Sequence, residues 1–457
     1  MIFNTFSFLF VFLPCVLVLF YLPGLRRFRY ITLTASSLVF YGISGIEHAV
    51  VLCLDVLWLY YFMTRENFQK NKILLFVTII PPILALFYYK YIGFFFRSIF
   101  GIGNSEISEV FSVFDHIVLP AGISFFTFQA VSFAIDRYRG DIKEVPSFSR
   151  VFTFITFFPQ LVAGPILRFS DIDGALARLT TFKLTAHFMS RGIGYIVLGL
   201  AVKVLIADTL GHMIEDYAVD PGAITPLSAW FTVFAYSFQI YFDFYGYSLV
   251  AIGLGSLFGF SFPKNFDRPY NALNPRDFWR QWHMTLSFWI RDYLYIPLGG
   301  NRSYVRNILI VMALCGLWHG AGWSFIVWGL YHAMLVIGYH AGRTTWDKFP
   351  ALVQIAVTFF LVSLGWILFL FDFAQAAAFV QSLVGHGANG IVGPTLVMWS
   401  FLGLAAVVAF GIRLEPLAEN NHTGIWASSI LQILLAVLFV STLFFLDRSE
   451  TFIYFRF

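Results

Sequence analysis

Charge is scarce in this chain. Only 12% of its 457 residues are Asp, Glu, Lys or Arg, against about 25% in a soluble domain. Hydrophobic residues make up 59%. Such a chain has too little polar surface to face water on all sides, which predicts a polytopic membrane protein. Cysteine is also rare. Cys15, Cys53 and Cys315 sit in apolar stretches with no CxxC spacing, so no disulfide framework and no zinc site is expected. No basic residue precedes the first apolar stretch, Phe6 to Leu22, and no small-residue cleavage site follows it. Arg26, Arg27 and Arg29 come directly after. That order argues against a secretory signal and predicts an uncleaved helix with its N-terminus outside and its basic flank in the cytosol. Internal repeats, low-complexity tracts and a soluble domain are missing as well. The whole of 1–457 therefore reads as one integral domain. No metal site and no nucleic-acid partner is expected.

Apolar length is what the chain has in quantity. Candidate spans of about 20 residues fall at roughly 5–24, 31–45, 47–63, 73–89, 117–136, 190–208, 227–256, 323–341, 352–371, 396–412 and 426–446. The expected fold class is an all-α polytopic membrane protein with about eleven transmembrane helices, re-entrant segments and interfacial amphipathic helices. Alternate threading puts the dense clusters 65–72, 137–150, 168–191 and 264–306 inside, with Glu215, Asp216 and Asp220 outside. It places the C-terminus in the cytosol. Lys90, Arg97, Arg343, Lys348 and Arg413 remain as exceptions outside. Phe152–Leu167 contains Pro159 and Gly164-Pro165, and Ile308–Gly322 contains Gly316, Gly320 and Gly322. Both read as re-entrant elements opening from the cytosol, since irregular backbone at membrane depth needs protein or a watery cavity around it.

The chemistry concentrates on two histidines. Trp318-His319-Gly320 closes an apolar run, and an imidazole at membrane depth is a functional-site hypothesis by default. Three readings apply to His319: a core histidine satisfied by a carbonyl, a metal ligand, or a general base. Neither HxxxH nor HExxH spacing links His283, His319, His332 and His340, which disfavours the metal. A neutral imidazole in an apolar setting suits a base that takes a proton from an attacking hydroxyl. His332 follows 13 residues later and on a continuous helix points away, as a packing histidine.

Residues 274–298 have the pattern of one interfacial helix. Trp279, Trp282, Leu286, Trp289 and Tyr293 share an apolar face; Arg276, Arg280, His283, Ser287 and Arg291 form a polar stripe. The stripe either meets anionic lipid or forms a mouth for an anionic cytosolic substrate. Gly299-Gly300-Asn301-Arg302 extends it with amides and a guanidinium suited to phosphate. Asp243 is a second buried ionisable group, open to orienting a histidine, pairing with an arginine, binding substrate, or a structural role. Gly255-Ser-Leu-Phe-Gly259 suggests close helix packing. Gly385-His-Gly387-Ala-Asn-Gly390 matches a dinucleotide fingerprint in letters only and is rejected, since no strand precedes it.

Several runs resemble the membrane-bound O-acyltransferase family, in its bacterial branch serving alginate O-acetylation. They are LPAGISFFTFQAVSFAIDRYRG (119–140), FFPQLVAGPILR (157–168), QIYFDFYGYS (239–248), NFDRPYNALNPRDFWRQWHMTLSFWIRDYLYIPLGGNR (265–302), GLWHGAGWSFIVWGLYHA (316–333) and FIYFRF (452–457). The likeness is densest over 119–333. It implies a ring of tilted helices around a central tunnel and an inner-membrane location. His319 of the WHG motif would be catalytic, with His283 of the FWRxWH motif assisting near the cytosolic mouth. The implied donor is acetyl-CoA, with no tightly bound cofactor. Arg276, Arg280, Arg291 and Arg302 would attract its phosphates, and Asp243 would be a polar residue of the tunnel. The implied acceptor is an exported polysaccharide, or a periplasmic protein that passes the acetyl group on. Leu249 replaces a frequent acid, Gln281 a frequent arginine, and Arg456 a frequent glutamine; these departures leave the acceptor open. Cellulose, peptidoglycan and teichoic acid are alternatives. A proton-coupled transporter is the reading from a different class, and a scaffold for a secretion complex is a third.

Overall fold

The computed structural model describes residues 2–100, 118–162, 164–387, 392–419 and 425–453. Its regular structure is helical, with no strand among the described residues. Seven helices there are long and apolar enough to cross a bilayer. An eighth crossing is gained if Ser7–Tyr21 and Pro23–Gly42, bent by 96° relative to each other, form one broken span. The expected span at 396–412 is the shorter apolar helix Leu396–Gly411. The chain forms two compact units, Met1–Met189 with Leu254–Pro263, and Ser190–Gly253 with Lys264–Phe457.

In the first unit the bend falls where Leu22 takes an extended ψ of 121° ahead of Pro23. Proline steers the residue before it out of the helical region. Arg29, in the basic flank after the first apolar stretch, is buried. Its Nε donates to the Phe20 carbonyl at 3.0 Å and one terminal nitrogen donates to Leu179 and Phe182 at 2.9 and 2.7 Å. It ties carbonyls from two parts of the unit together. The 152–167 stretch breaks as expected, into Phe148–Thr156 and Phe158–Leu161 with the kink at Phe157. Nine residues reach only about 14 Å, so this arm does not span. The Phe158 N–H is taken by Ser37 Oγ at 3.1 Å. Gly122 sits at φ +75°, and a Cβ there would lie 2.3 Å from the Leu161 carbonyl oxygen, so only glycine fits. The Gly255–Gly259 pair packs against the Phe262 and Phe182 rings, which corrects its reading as a helix-helix motif.

In the second unit two long spans, Ala186–Val219 and Pro226–Leu257, run antiparallel. Gly199 meets the Gly246 carbonyl and Gly253 meets the Gly192 carbonyl. A Cβ would come within 2.5 and 2.6 Å of those oxygens. Small residues of this kind let backbones touch in lipid.

The 308–322 reading needs correction. Tyr304–His319 is a continuous helix that turns back at Gly320–Gly322 into Trp323–Trp346. The arms close where Gly316 faces the Phe325 carbonyl and Gly329 faces the Met312 carbonyl; a Cβ at either glycine would lie 2.1 Å from that oxygen. The segment is one arm of a helical hairpin rather than an irregular stretch. Hydrogen bonds within the unit fix which ends lie together. Trp346 Nε1 donates to the Leu273 carbonyl at 2.9 Å and Asn271 Nδ2 to Phe410 at 2.8 Å. These put residues 346 and 410 on the side of the 264–306 basic segment. At the other end Ser382 Oγ donates to Pro221 and Tyr217 OH to Val392, and His212 Nε2 meets the Arg448 carbonyl at 3.4 Å. The end of the last span thus lies beside the acid-rich 212–220 segment, not opposite it.

Gly316→Ala is expected to destabilise the detergent-solubilised protein by at least 1–3 kcal/mol, or about that of an overpacked core. Gly338→Ala on the same hairpin meets nothing within 4 Å and serves as the matched control. Thermal denaturation of both variants checks this: equal melting temperatures would contradict the close contact.

Candidate functional site

The expected single helix over 274–298 is broken. Pro275–Gln281 ends at Trp282. His283 takes φ +43°, ψ +55°, and Met284–Ile290 starts a new helix. A left-handed non-glycine residue costs on the order of 1–3 kcal/mol and is found where surrounding contacts over-determine it. Those contacts come from residues 265–268. The Met284 N–H donates to the Asn265 carbonyl at 2.9 Å, and the Asp267 N–H to Gln281 at 3.0 Å. The turn takes His283 off the arginine stripe and buries it, 1% exposed.

Asn265 decides the tautomer of His283. The Thr285 backbone N–H can only donate, and it donates to Asn265 Oδ1 at 3.3 Å; Thr285 Oγ1 adds a bond to the same oxygen at 2.9 Å. Asn265 Nδ2 donates to Ser248 Oγ at 3.2 Å. The amide is therefore oriented with its oxygen toward His283 Nδ1, 3.1 Å away. That nitrogen must carry the proton. Nε2 then bears the lone pair, and it is buried with no hydrogen-bond partner among the described residues. Burial holds the imidazole neutral, pushing it down to about 3. The ring stands edge-on to Phe244 at 4.6 Å and lies 6.0 Å from Trp318.

His319 is the last residue of the Tyr304–His319 helix and is also buried. Its ring contacts Trp318 at 4.9 Å, Trp328 at 5.1 Å and Phe369 at 5.3 Å. The hairpin brings His332 back into the same aromatic cluster, 5.0 Å from Trp328 and 5.1 Å from Trp279. The expectation that it points away rested on a continuous helix, which the Gly320–Gly322 turn removes. Its packing role stands. Both imidazoles of the two motifs thus meet one indole, Trp318. Low polarity around a base keeps it neutral and strengthens its interaction with a charge or dipole placed beside it.

The four arginines are not drawn into this cluster. Arg280 lies 3.6 Å from Asp277. Arg291 donates to Asp292 at 2.6 and 3.0 Å, and that bond raises its pKa further. Arg276 lies over the Tyr339 ring at 5.7 Å. Arg302 is exposed, next to the left-handed Gly299 and Gly300. Asp243 is buried in the Pro226–Leu257 helix and bonds Lys203 Nζ at 2.7 Å. Lys203 also bonds Asp208. Asn265, Lys203 and Asp208 escaped the sequence reading. Lys203 carried a usable signal, a lone lysine inside an apolar span. Among the described residues no three His, Cys, Asp or Glu side chains gather as a metal site.

The family model for membrane-bound O-acyltransferases matches residues 103–372. The chain belongs to the membrane-bound O-acyltransferase family. It is an O-acyltransferase of the membrane, working with an acyl donor. It is 38% identical over 390 residues to a probable alginate O-acetylase of Pseudomonas putida, covering 83% of this chain and 79% of that protein. It is 33% identical over 434 residues to a peptidoglycan O-acetyltransferase of Helicobacter pylori, covering 86% and 81%. A teichoic acid D-alanyltransferase of Streptococcus thermophilus is 27% identical over 331 residues, covering 68% and 76%.

Proposed function

We propose that this O-acyltransferase takes acetyl from cytosolic acetyl-CoA and delivers it to the hydroxyl of an exported polysaccharide, or to a periplasmic protein that carries it there. The observation behind this reading is the pair of buried imidazoles that share the Trp318 indole, within a chain similar to alginate and peptidoglycan O-acetylating proteins. His319 acts as general base. It takes the hydroxyl proton as the acceptor oxygen attacks the thioester carbonyl. The C–S bond then breaks, CoA leaves as thiolate, and the proton passes from the imidazolium to that sulfur. His283 Nε2 is a second proton acceptor on the donor side. Arg276, Arg280, Arg291 and Arg302 draw the donor's phosphates by charge. Asp243 acts from the tunnel wall, through Lys203.

The location is the bacterial inner membrane, with a tunnel running through one integral domain spanning 1–457. The N-terminus is outside. The basic 264–306 segment faces the cytosol, which leaves the acid-rich 212–220 segment and the end of the last span outside. Arg448, at the end of the last span, is therefore outside, in place of the cytosolic position expected from eleven spans. Arg343, Lys348 and Arg413 then obey the positive-inside rule. Peptidoglycan is the second acceptor reading, favoured by the 434-residue match to the Helicobacter pylori protein.

The test is purified protein in nanodiscs with labelled acetyl-CoA, with and without periplasmic extract. Thiol release coupled to label on polysaccharide, peptidoglycan or one extract protein supports the reading and identifies the acceptor. No release under either condition contradicts it. Replacing Arg280 and Arg302 together by Gln is expected to raise the KM for acetyl-CoA about tenfold, from two lost charge-assisted bonds, with kcat little changed. An unchanged KM would remove these arginines from the donor site.

A further inference from the structure

Residues 449–453 turn back into the second unit. The last long helix finishes at Arg448, beside His212. Five residues later the Ile453 N–H donates to Asp243 Oδ2 at 2.9 Å. Asp243 lies near the middle of the 32-residue Pro226–Leu257 helix. The segment 449–453 therefore descends from the 212 end of the unit to the depth of Asp243. There Phe452 stacks on Tyr247 at 4.8 Å and packs on Phe244 at 5.4 Å. Phe244 is the residue whose ring meets the His283 imidazole.

The carboxylate that receives the segment is itself held. Lys203 Nζ bonds both Asp243 and Asp208, and all three side chains are almost fully buried. Lys203 and Asp208 are five residues apart on the π-helical stretch Val202–Asp208. A π turn stacks residues i and i+5, where an α-helix would turn them apart; such turns recur at functional positions. A lone buried lysine, or a lone buried carboxylate, would be strongly unfavourable at this depth. The geometry thus makes each of the three groups depend on the other two.

We propose that Lys203 and Asp208 are positioning residues for acyl transfer. By fixing the Asp243 carboxylate they anchor the returning C-terminal segment, and Phe452 on that segment holds Phe244 against His283. The inference rests on the reading of His283 as part of the acyl-transfer site. The chain of contacts is continuous: Lys203 to Asp243, Asp243 to the 453 amide, Phe452 to Phe244, Phe244 to the imidazole. Its effect falls on the imidazole's orientation, not on donor binding.

The experiment measures kcat and the KM for acetyl-CoA of full-length protein in nanodiscs for wild type, Lys203→Met, Phe452→Ala, Phe452→Leu and Lys203→Met with Phe452→Ala. Lys203→Met and Phe452→Ala are each expected to lower kcat at least tenfold with KM within twofold of wild type. Phe452→Leu should recover part of the loss, since it restores bulk against Phe244. The double variant should be no slower than the worse single one, because both break the same chain of contacts. Effects that multiply, or a fall that appears in KM alone, overturn the proposal. If Lys203→Met fails to fold, the two Phe452 variants decide, since they touch no buried charge: full kcat in both overturns it. An inactive wild type refutes the acetyl-CoA reading instead, which separates the two failures.

Discussion

His319→Ala is expected to lower kcat for acetyl transfer by about 10²–10⁴, the range for removing a general acid-base group. The KM for the donor should stay within a few-fold, because in the proposed reaction the imidazole acts on the acceptor hydroxyl and not on the nucleotide. The fold should survive. His319 ends its helix, and the ring contacts with Trp328 and Phe369 are worth only about 0.5–1.5 kcal/mol each. His319→Gln keeps most of the volume without a base at this position and should be as slow as alanine. Steady-state kinetics with a monodispersity check on each variant decides between chemistry and packing. A glutamine variant near wild-type rate would assign His319 to packing.

The second large effect is expected from Asn265. Replacing it by Leu removes the acceptor that holds Nδ1–H of His283, so the ring is free to turn and to take the other tautomer. The Thr285 hydroxyl and backbone N–H lose their partner as well. Partners that orient a functional imidazole are worth roughly 10–100-fold in activity, and a fall in kcat of that order is expected here. Asn265→Asp keeps an acceptor toward Nδ1 and should lose less rate, at some expense of stability from a buried carboxylate. If Leu and Asp variants lose rate equally while folding equally well, tautomer control by this side chain is excluded.

Much of the candidate site was readable in the residues themselves. An imidazole in a long apolar run announces itself, and so does an aromatic-rich segment with regularly spaced arginines. The geometry between them was not. Helical periodicity placed His283 on the arginine stripe only because it assumed one continuous helix. A left-handed residue in the middle cancels that phase, and what holds it there is a bond from Met284 to a residue nineteen positions away. Gly316, Gly320 and Gly322 suggested an irregular dip. They equally suit a tight hairpin, and the choice depends on Gly329, a residue beyond the turn whose contact with Met312 closes it. The Phe152–Leu167 break was legible because proline acts locally. Within FIYFRF (452–457) the structure describes Phe452 and Ile453. Arg456, and Gly390 of the 385–390 glycine pattern, lie outside the described residues.

The central claim is that the acetyl group passes from the cytosolic side to the outside through the His319 site while the nucleotide stays behind. Inverted membrane vesicles expose the cytosolic face, so acetyl-CoA labelled in the acetyl group and added to the medium reaches the donor side alone. The lumen carries periplasmic extract and polysaccharide. In wild-type vesicles the label should accumulate on lumenal acceptor, protected from added esterase, with free CoA recovered in the medium; His319→Ala vesicles should accumulate neither. Label confined to the medium face, or lumenal label that persists in the His319→Ala vesicles, would contradict the account.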